Sequence, residues 1–185
     1  TVKSRPDQKI VPIKGNNSVN IDANGRFTLN GKPYIPFAIG WESIPTKNTL
    51  ESMARSGFNT VCFTIYPWNY TELESTLDIA QNCGLMAIPW INHGVTVDIL
   101  KQLISENKNH PALLAWYVYD EPASINTDVV SKYELAKSID PNHPAYINFS
   151  ILFADYTFRD IASMDRYPLP RNSPAVMYLD AEAMS

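Results

Sequence analysis

His110-Pro111-Ala112-Leu113-Leu114-Ala115-Trp116-Tyr117-Val118-Tyr119-Asp120-Glu121-Pro122 is the stretch on which the reading of this chain turns. From residue 113 to 119 its side chains are all apolar or aromatic, and it stops at two acids and a proline. A strand buried on both faces reads this way, because neither face meets water before its end. Runs of the same texture lie at residues 35–39, 60–65, 85–90, 145–148 and 161–164. Most of the intervals between them carry helical spacing instead: Leu50, Met53 and Ala54; Leu73, Leu77 and Ala80; Val97, Leu100, Leu103 and Ile104; Val129, Val130, Tyr133 and Ala136. Gly57 and Gly84 follow the first two of these patterns, as left-handed helix ends prefer. Strands joined by single helices form parallel βα units. About six such units in a row predict an α/β fold, either a doubly wound sheet or part of a (βα)8 barrel. The turn after the first run reads Gly40-Trp41-Glu42-Ser43, which lacks the glycine pattern of a dinucleotide fold and shifts the balance toward the barrel.

Upstream, Val19-Asn20-Ile21 and Arg26-Phe27-Thr28-Leu29 flank Asp22-Ala23-Asn24-Gly25, and Asn30-Gly31 leads into Lys32-Pro33-Tyr34. Asn-Gly between strand-like runs predicts a β-hairpin, since both central residues of a type I′ turn need positive φ. Residues 1–18, polar and aperiodic with Pro6 and Pro12, read as an extended arm or linker. Residues 19–185 read as the folded domain.

The composition is ordinary globular material: 185 residues, 45% hydrophobic, 18% charged, net charge -4. That balance provides no basic surface for nucleic acid. No apolar run approaches the ~20 residues of a bilayer span. Cys62 and Cys83 have no paired spacing, and with His93, His110 and His143 they make no ligand pattern, so neither a metal nor another cofactor is expected. The two thiols read as reduced core residues, with pairing left open. Asn16, Asn69 and Asn148 each open an Asn-x-Ser/Thr triplet, which tilts the expectation toward a secreted, extracellular glycoprotein.

In a parallel barrel the site is built where strands end. The residues following the six runs are Trp41 and Glu42; Tyr66, Trp68 and Asn69; Trp90, Asn92 and His93; Asp120 and Glu121; Asn148 and Ser150; Asp165, Arg166 and Tyr167. Aromatic platforms interleaved with acids and amides suit a carbohydrate, which offers apolar ring faces to stack and hydroxyls to bond. Trp41, Glu42, Tyr66, Trp68, Trp90, Asn92, His93, Asp120, Asn148, Asp165 and Tyr167 are therefore candidate substrate contacts. Tryptophans also close barrel ends as plain core, and acids ahead of a proline also suit a helix N-terminus. His93 has a second reading as a cap on the helix that follows it. His110 and His143, each before a proline near a helix end, read as structural.

The segment 110–122 resembles the fourth strand of the retaining clan A glycoside hydrolases with a (βα)8 barrel, the group that includes β-galactosidases, cellulases and mannanases. Asn24-Gly25-Arg26-Phe27 with Leu29-Asn30-Gly31-Lys32-Pro33-Tyr34 is similar to the lead-in of such barrels, and Met164-Asp165-Arg166-Tyr167-Pro168 to their sixth-strand terminus. The resemblance covers roughly residues 19–185 and implies hydrolysis of a β-linked glycoside with Glu121 as general acid/base. The family pattern has Asn directly before that Glu, whereas Asp120 stands here. Ionised Asp accepts hydrogen bonds but donates none, and its charge would push the Glu121 pKa upward.

Retention also requires a second carboxylate, ~5–5.5 Å from the first, as nucleophile. The resemblance puts it at the end of a seventh strand. Six strands are readable, 175–182 reads as the start of a sixth helix, and residues 19–185 fall short of the ~250 of a complete barrel. The expectation is thus the N-terminal part of a hydrolase barrel, its nucleophile beyond residue 185. The alternative is a catalytically inactive, barrel-derived structural or carbohydrate-binding protein whose open edge another chain completes.

Overall fold

The computed structural model describes residues 8–149 and 160–164. Three short strands come first, β1 (Val19–Ile21), β2 (Phe27–Leu29) and β3 (Lys32–Pro33), paired antiparallel in the order β1-β2-β3. Leu29 pairs with Lys32 across Asn30 (φ 54°) and Gly31 (φ 73°), the positive-φ pair that a type I′ turn requires. The first turn closes differently. Asp22 Oδ1 accepts from the Asn24 and Arg26 N–H groups at 2.9 and 3.0 Å, and Gly25 takes φ 73°.

The remainder is a six-stranded parallel sheet interleaved with helices: β4 (Ala38–Trp41), α1 (Lys47–Arg55), β5 (Thr60–Ile65), α2 (Leu73–Asn82), β6 (Met86–Ile91), α3 (Val97–Asn107), β7 (Trp116–Asp120), α4 (Thr127–Ile139), β8 (Ala145–Phe149) and β9 (Ile161–Met164). Strand order follows chain order, β4-β5-β6-β7-β8-β9, with every pair parallel. This is a partial TIM barrel: consecutive βα units wound in one direction, six strands against the eight of the closed fold. Among the described residues no helix is long and apolar enough to cross a membrane.

Alternation along the strands separates two cores. Val61, Phe63, Ile65, Ala87, Ile91, Val118, Ile147 and Phe149 face the helices and meet Leu50, Leu77, Leu100, Leu103, Ile104 and Val129. A smaller cluster of Val19, Met86 and Leu114, with Phe27, Leu29, Tyr34 and Ile88 against it, packs the hairpin across the lower mouth of the sheet. The Tyr34 hydroxyl fastens it there, within 2.9 Å of the Asn59 carbonyl and 2.8 Å of Thr60 Oγ1. Residues 8–18 contain no helix or strand and lie along the outside. The Gln8 N–H donates to the Arg55 carbonyl, that of Ile13 to Gln81, and Asn17 Nδ2 to the Pro111 carbonyl at 2.6 Å.

Three of the four helices α1 to α4 start on capping side chains, Thr46 for α1, Thr96 for α3 and Asn126 for α4. Gly57 (φ 92°) and Gly84 (φ 72°) end the first two. Two strands depart from the apolar runs. The first starts at Ala38 rather than Ile35: the side chain of Asn59 accepts from the Phe37 N–H at 2.7 Å and donates to the Ile35 carbonyl at 2.9 Å, replacing a ladder partner, and Ile35 stays 82% exposed. The fourth becomes regular only at Trp116. Before that, Leu113 makes an isolated bridge to Ala87. Cys62 and Cys83 are free thiols, one on the sheet face turned away from the helices and one at the end of α2.

Candidate active site

The fourth parallel strand carries the site because it changes phase just below its end. Tyr117 pairs with Tyr146 but Tyr119 pairs with Ile147, so Val118 is an extra residue in a β-bulge. Below the bulge Tyr117 faces the barrel lumen, in register with Trp90. Above it Tyr119 faces the helix layer with Ile147, and Asp120 turns into the lumen opposite Asn148. Ser163 of β9 pairs with Asn148 and completes the layer.

These lumen side chains form one hydrogen-bonded chain. Tyr117 Oη donates to Asp120 Oδ1, which also accepts from Asn148 Nδ2 at 3.1 Å. Asn148 Oδ1 in turn accepts from Ser163 Oγ, and the Tyr146 hydroxyl bonds the same Oγ. Below lies an aromatic floor: the Tyr117 ring is 4.3 Å from Tyr146 and 5.7 Å from Trp90. Burial and the bond to Asp120 both push the Tyr117 phenol upward, so it stays a donor throughout the physiological range. Cys62, on the same face, is pushed up to about 12, chiefly by burial and further by the Asp120 carboxylate.

Glu121 leaves the strand exposed and in the left-handed region, φ 43°. Asn30 is the one other non-glycine with positive φ among the described residues, and it sits in a turn built for that conformation. The Glu121 N–H donates to the Asn148 carbonyl at 2.9 Å, and Pro122 behind it is buried. Acids ahead of a helix do not account for Asp120-Glu121-Pro122: α4 begins at Thr127 and Asn126 accepts from its first free N–H groups. Nor does His93 cap α3, since Thr96 does. The His93 ring instead stacks on Tyr119 at 4.5 Å, and its Nε2 accepts from the Asp120 N–H at 3.3 Å.

The other candidates divide. Trp90 projects into the lumen with its indole N–H buried and without a partner among the described residues. Tyr66 and Trp68 stack in parallel at 4.6 Å on the loop after β5, and Trp68 presents an exposed ring face. Asn92 spends its side-chain oxygen on the Gly94 N–H at 2.9 Å. Trp41 is not brought to the lumen: it pairs with helix-facing Phe63, and with Ile39, Met53 and Phe58 it lines a cavity beside α1. Glu42 follows it, exposed. Asp165 and Tyr167 lie outside the described residues, as do Ser150 and the expected sixth helix at 175–182. Of the triplet asparagines, Asn16 is exposed, Asn69 accepts from the Tyr66 N–H at 2.8 Å, and Asn148 is buried inside the site. Among the described residues no three metal-ligating side chains converge. Tyr117, Tyr146 and Ser163 are the members that the strand runs concealed. The alternation of Tyr146 with Asn148 signals one of them, whereas the bulge hides Tyr117.

His110 and His143 are structural. His110 Nδ1 accepts from the Ala112 N–H at 3.1 Å. His143 is buried, with Nδ1 2.8 Å from Asp140 Oδ2, and the same carboxylate accepts from Trp116 Nε1 at 2.8 Å. This knot ties the first residue of β7 to the loop that leads into β8.

The fold and the polar lumen define a barrel-type site at the carboxyl ends of parallel strands. No family model matches the chain, and no curated protein matches it in sequence. Solved structures do. The β-glucuronidase of Lactobacillus rhamnosus superposes with a TM-score of 0.66 at 20% identity, over 91% of this chain and 34% of that one. A Ruminococcus gnavus β-glucuronidase gives 0.68 at 16% identity, over 96% and 38%, and one from an uncultured Clostridium sp. 0.63 at 19%, over 90% and 35%. These neighbours are glycoside hydrolases with a TIM-barrel fold. At such identities the likeness is one of fold, and the chain spans about a third of the length of the structures it matches.

Proposed function

We propose that this chain is the acid/base-bearing part of a glycoside hydrolase that cleaves a β-linked glycoside with retention, its nucleophile lying on sequence beyond residue 185. The observation that carries this reading is Glu121: an exposed acidic residue just past the fourth parallel strand, held in the left-handed region. Strained backbone at a non-glycine persists where its surroundings over-determine it, and such positions cluster at active sites. Glu121 would protonate the glycosidic oxygen as the nucleophile displaces it. The same carboxylate would then take a proton from the water that hydrolyses the glycosyl-enzyme. Trp90 in the lumen and the Tyr66–Trp68 pair at its margin supply ring faces for sugar stacking. The β-glucuronidase neighbours make β-glycosides the substrates to try first.

In the full-length protein, Glu121→Gln is expected to abolish turnover of an unactivated β-glycoside while leaving the fold intact. With Glu121→Ala and an activated aryl glycoside, azide should restore turnover and yield a glycosyl azide of retained configuration, because azide needs no base. Unchanged turnover in Glu121→Gln would sink the assignment. Asp120 supports a second reading, a carbohydrate-binding relative without activity, because its carboxylate supplies no donor where the resembled families have an amide. Calorimetric binding of a glycoside by a wild-type protein that never hydrolyses it would favour that reading.

A further inference from the structure

We propose that His93 is a positioning residue for Glu121, acting through Nε2 as the hydrogen-bond acceptor that holds the Asp120 main chain; the proposal rests on the acid/base reading of Glu121. The ladder between β6 and β7 ends at Trp90 and Tyr117. Past the bulge, the Asp120 N–H meets no β6 carbonyl, and His93 Nε2 takes it at 3.3 Å from the loop that follows β6. On the opposite side the next N–H, that of Glu121, goes to the Asn148 carbonyl of β8 at 2.9 Å. Two consecutive peptide groups are thus held from opposite sides, by the loop after β6 and by β8, and the residue between those holds and Pro122 is the one at φ 43°. Each hold alone leaves the backbone free to turn toward the extended region, which would swing the carboxyl group away.

The hydrogen bond also assigns the roles of the two ring nitrogens. A peptide N–H only donates, so Nε2 is the acceptor and Nδ1 carries the ring proton. The ring is kept in place by Tyr119 at 4.5 Å and, edge-on, by Trp90 at 6.5 Å. Lys132 Nζ lies 5.0 Å from the centre of the Tyr119 ring and 3.4 Å from Asp128. Among the described residues, the Tyr119 phenol, with Lys132 and Asp128 beyond it, is thus the ionisable group packed against the imidazole, and the residue whose N–H the ring accepts is itself an acid.

The test compares leaving groups in the full-length protein. A phenyl glycoside needs protonation to depart, whereas a dinitrophenyl glycoside departs as the anion. His93→Ala is expected to lower kcat/KM for the phenyl glycoside about 100-fold with KM little changed, the scale of a misplacement of ~1 Å. The dinitrophenyl glycoside should change less than about threefold. His93→Gln, whose Oε1 can accept near the Nε2 position, should recover the phenyl glycoside to within about tenfold of wild type. Equal losses on both glycosides, or a Gln variant no better than Ala, would overturn the proposal. Glu121→Ala serves as the control: without leaving-group selectivity there, the acid/base reading itself fails. Nitrogen NMR of histidine-labelled protein then still decides the contact, the His93 signal being identified by its loss in His93→Gln. Unprotonated Nε2 with a proton on Nδ1 is expected, and the opposite tautomer would overturn the hold.

Discussion

Trp116→Phe probes the knot at the foot of β7. Trp116 and Asp140 are both essentially inaccessible, at 0% and 1% exposure, and the indole N–H reaches Asp140 Oδ2 at 2.8 Å. A hydrogen bond to a charged group contributes about 1.5–3 kcal/mol, and its loss in a buried site is not made good by water. Shrinking indole to phenyl adds a packing loss of about 1 kcal/mol. Asp140 keeps three donors, the Asn142 and His143 N–H groups at 3.2 Å and the His143 ring at 2.8 Å, so the carboxylate is weakened rather than orphaned. The expected destabilisation is about 3 kcal/mol, read from urea unfolding near neutral pH. Combined with Asp140→Asn, the pair should show a coupling of about 1–2 kcal/mol, because both substitutions remove the same contact.

The acid limb supplies the second half of that test. Burial works to raise the Asp140 pKa, but the bonds from His143 and Trp116 outweigh it and hold the carboxyl below its ordinary value. A depressed native pKa contributes stability that is complete above the unfolded value of about 3.9 and is lost as pH falls through the native one. Removing the Trp116 donor raises the native pKa toward the unfolded value, so Trp116→Phe should move the acid-unfolding midpoint to higher pH. A loss below about 1 kcal/mol with additive double-mutant behaviour would refute the reasoning, because it would mean the indole contact is energetically idle.

Gly84→Ala places a Cβ 2.3 Å from the Val11 carbonyl oxygen at φ +72°, so the arm must lift; tryptic cleavage at Lys9 and Lys14 should accelerate, and unchanged cleavage would show the arm is not docked there. Gly31→Ala at φ 73° meets open space and should cost only the left-handed penalty, about 1–2 kcal/mol by thermal or urea melting. Asp120→Asn removes the carboxylate that adds to the burial effect on Cys62, so thiol labelling at mildly alkaline pH should quicken by a few-fold. Tyr117→Phe takes a donor from Asp120; on the glycoside-hydrolase proposal, that change in the full-length protein should lower kcat/KM on a phenyl glycoside about tenfold with the fold intact by circular dichroism.

The barrel was legible wherever local chemistry agreed with the global fold. The runs at 60–65 and 161–164 are observed as strands with those limits, Asn30-Gly31 forms the turn its φ preference demands, and glycines end two helices. What escaped was set by partners distant in sequence. Nothing near Ile35 announces that Asn59 will occupy its backbone, and nothing near His93 announces that the Asp120 N–H will reach its ring. A continuous apolar run conceals its own faces, so which tyrosine looks into the lumen could not be read from Trp116-Tyr117-Val118-Tyr119.

The extra residue at Val118 makes β7 a strand with an expansion joint. Below the joint, Trp116 is aligned to Ala145 of the core and Tyr117 to Trp90 and Tyr146 of the lumen floor; above it, Asp120 is aligned to Asn148 and Ser163 at the rim. Side-chain replacement leaves that alignment alone, because it is set by residue count. Gains or losses of one residue in β7 can therefore be absorbed at the joint without turning Asp120 away from the lumen. Among relatives of this chain, length variation in the fourth strand should fall at 117–119, and the rim should be inherited as a block that core drift beneath it leaves in place.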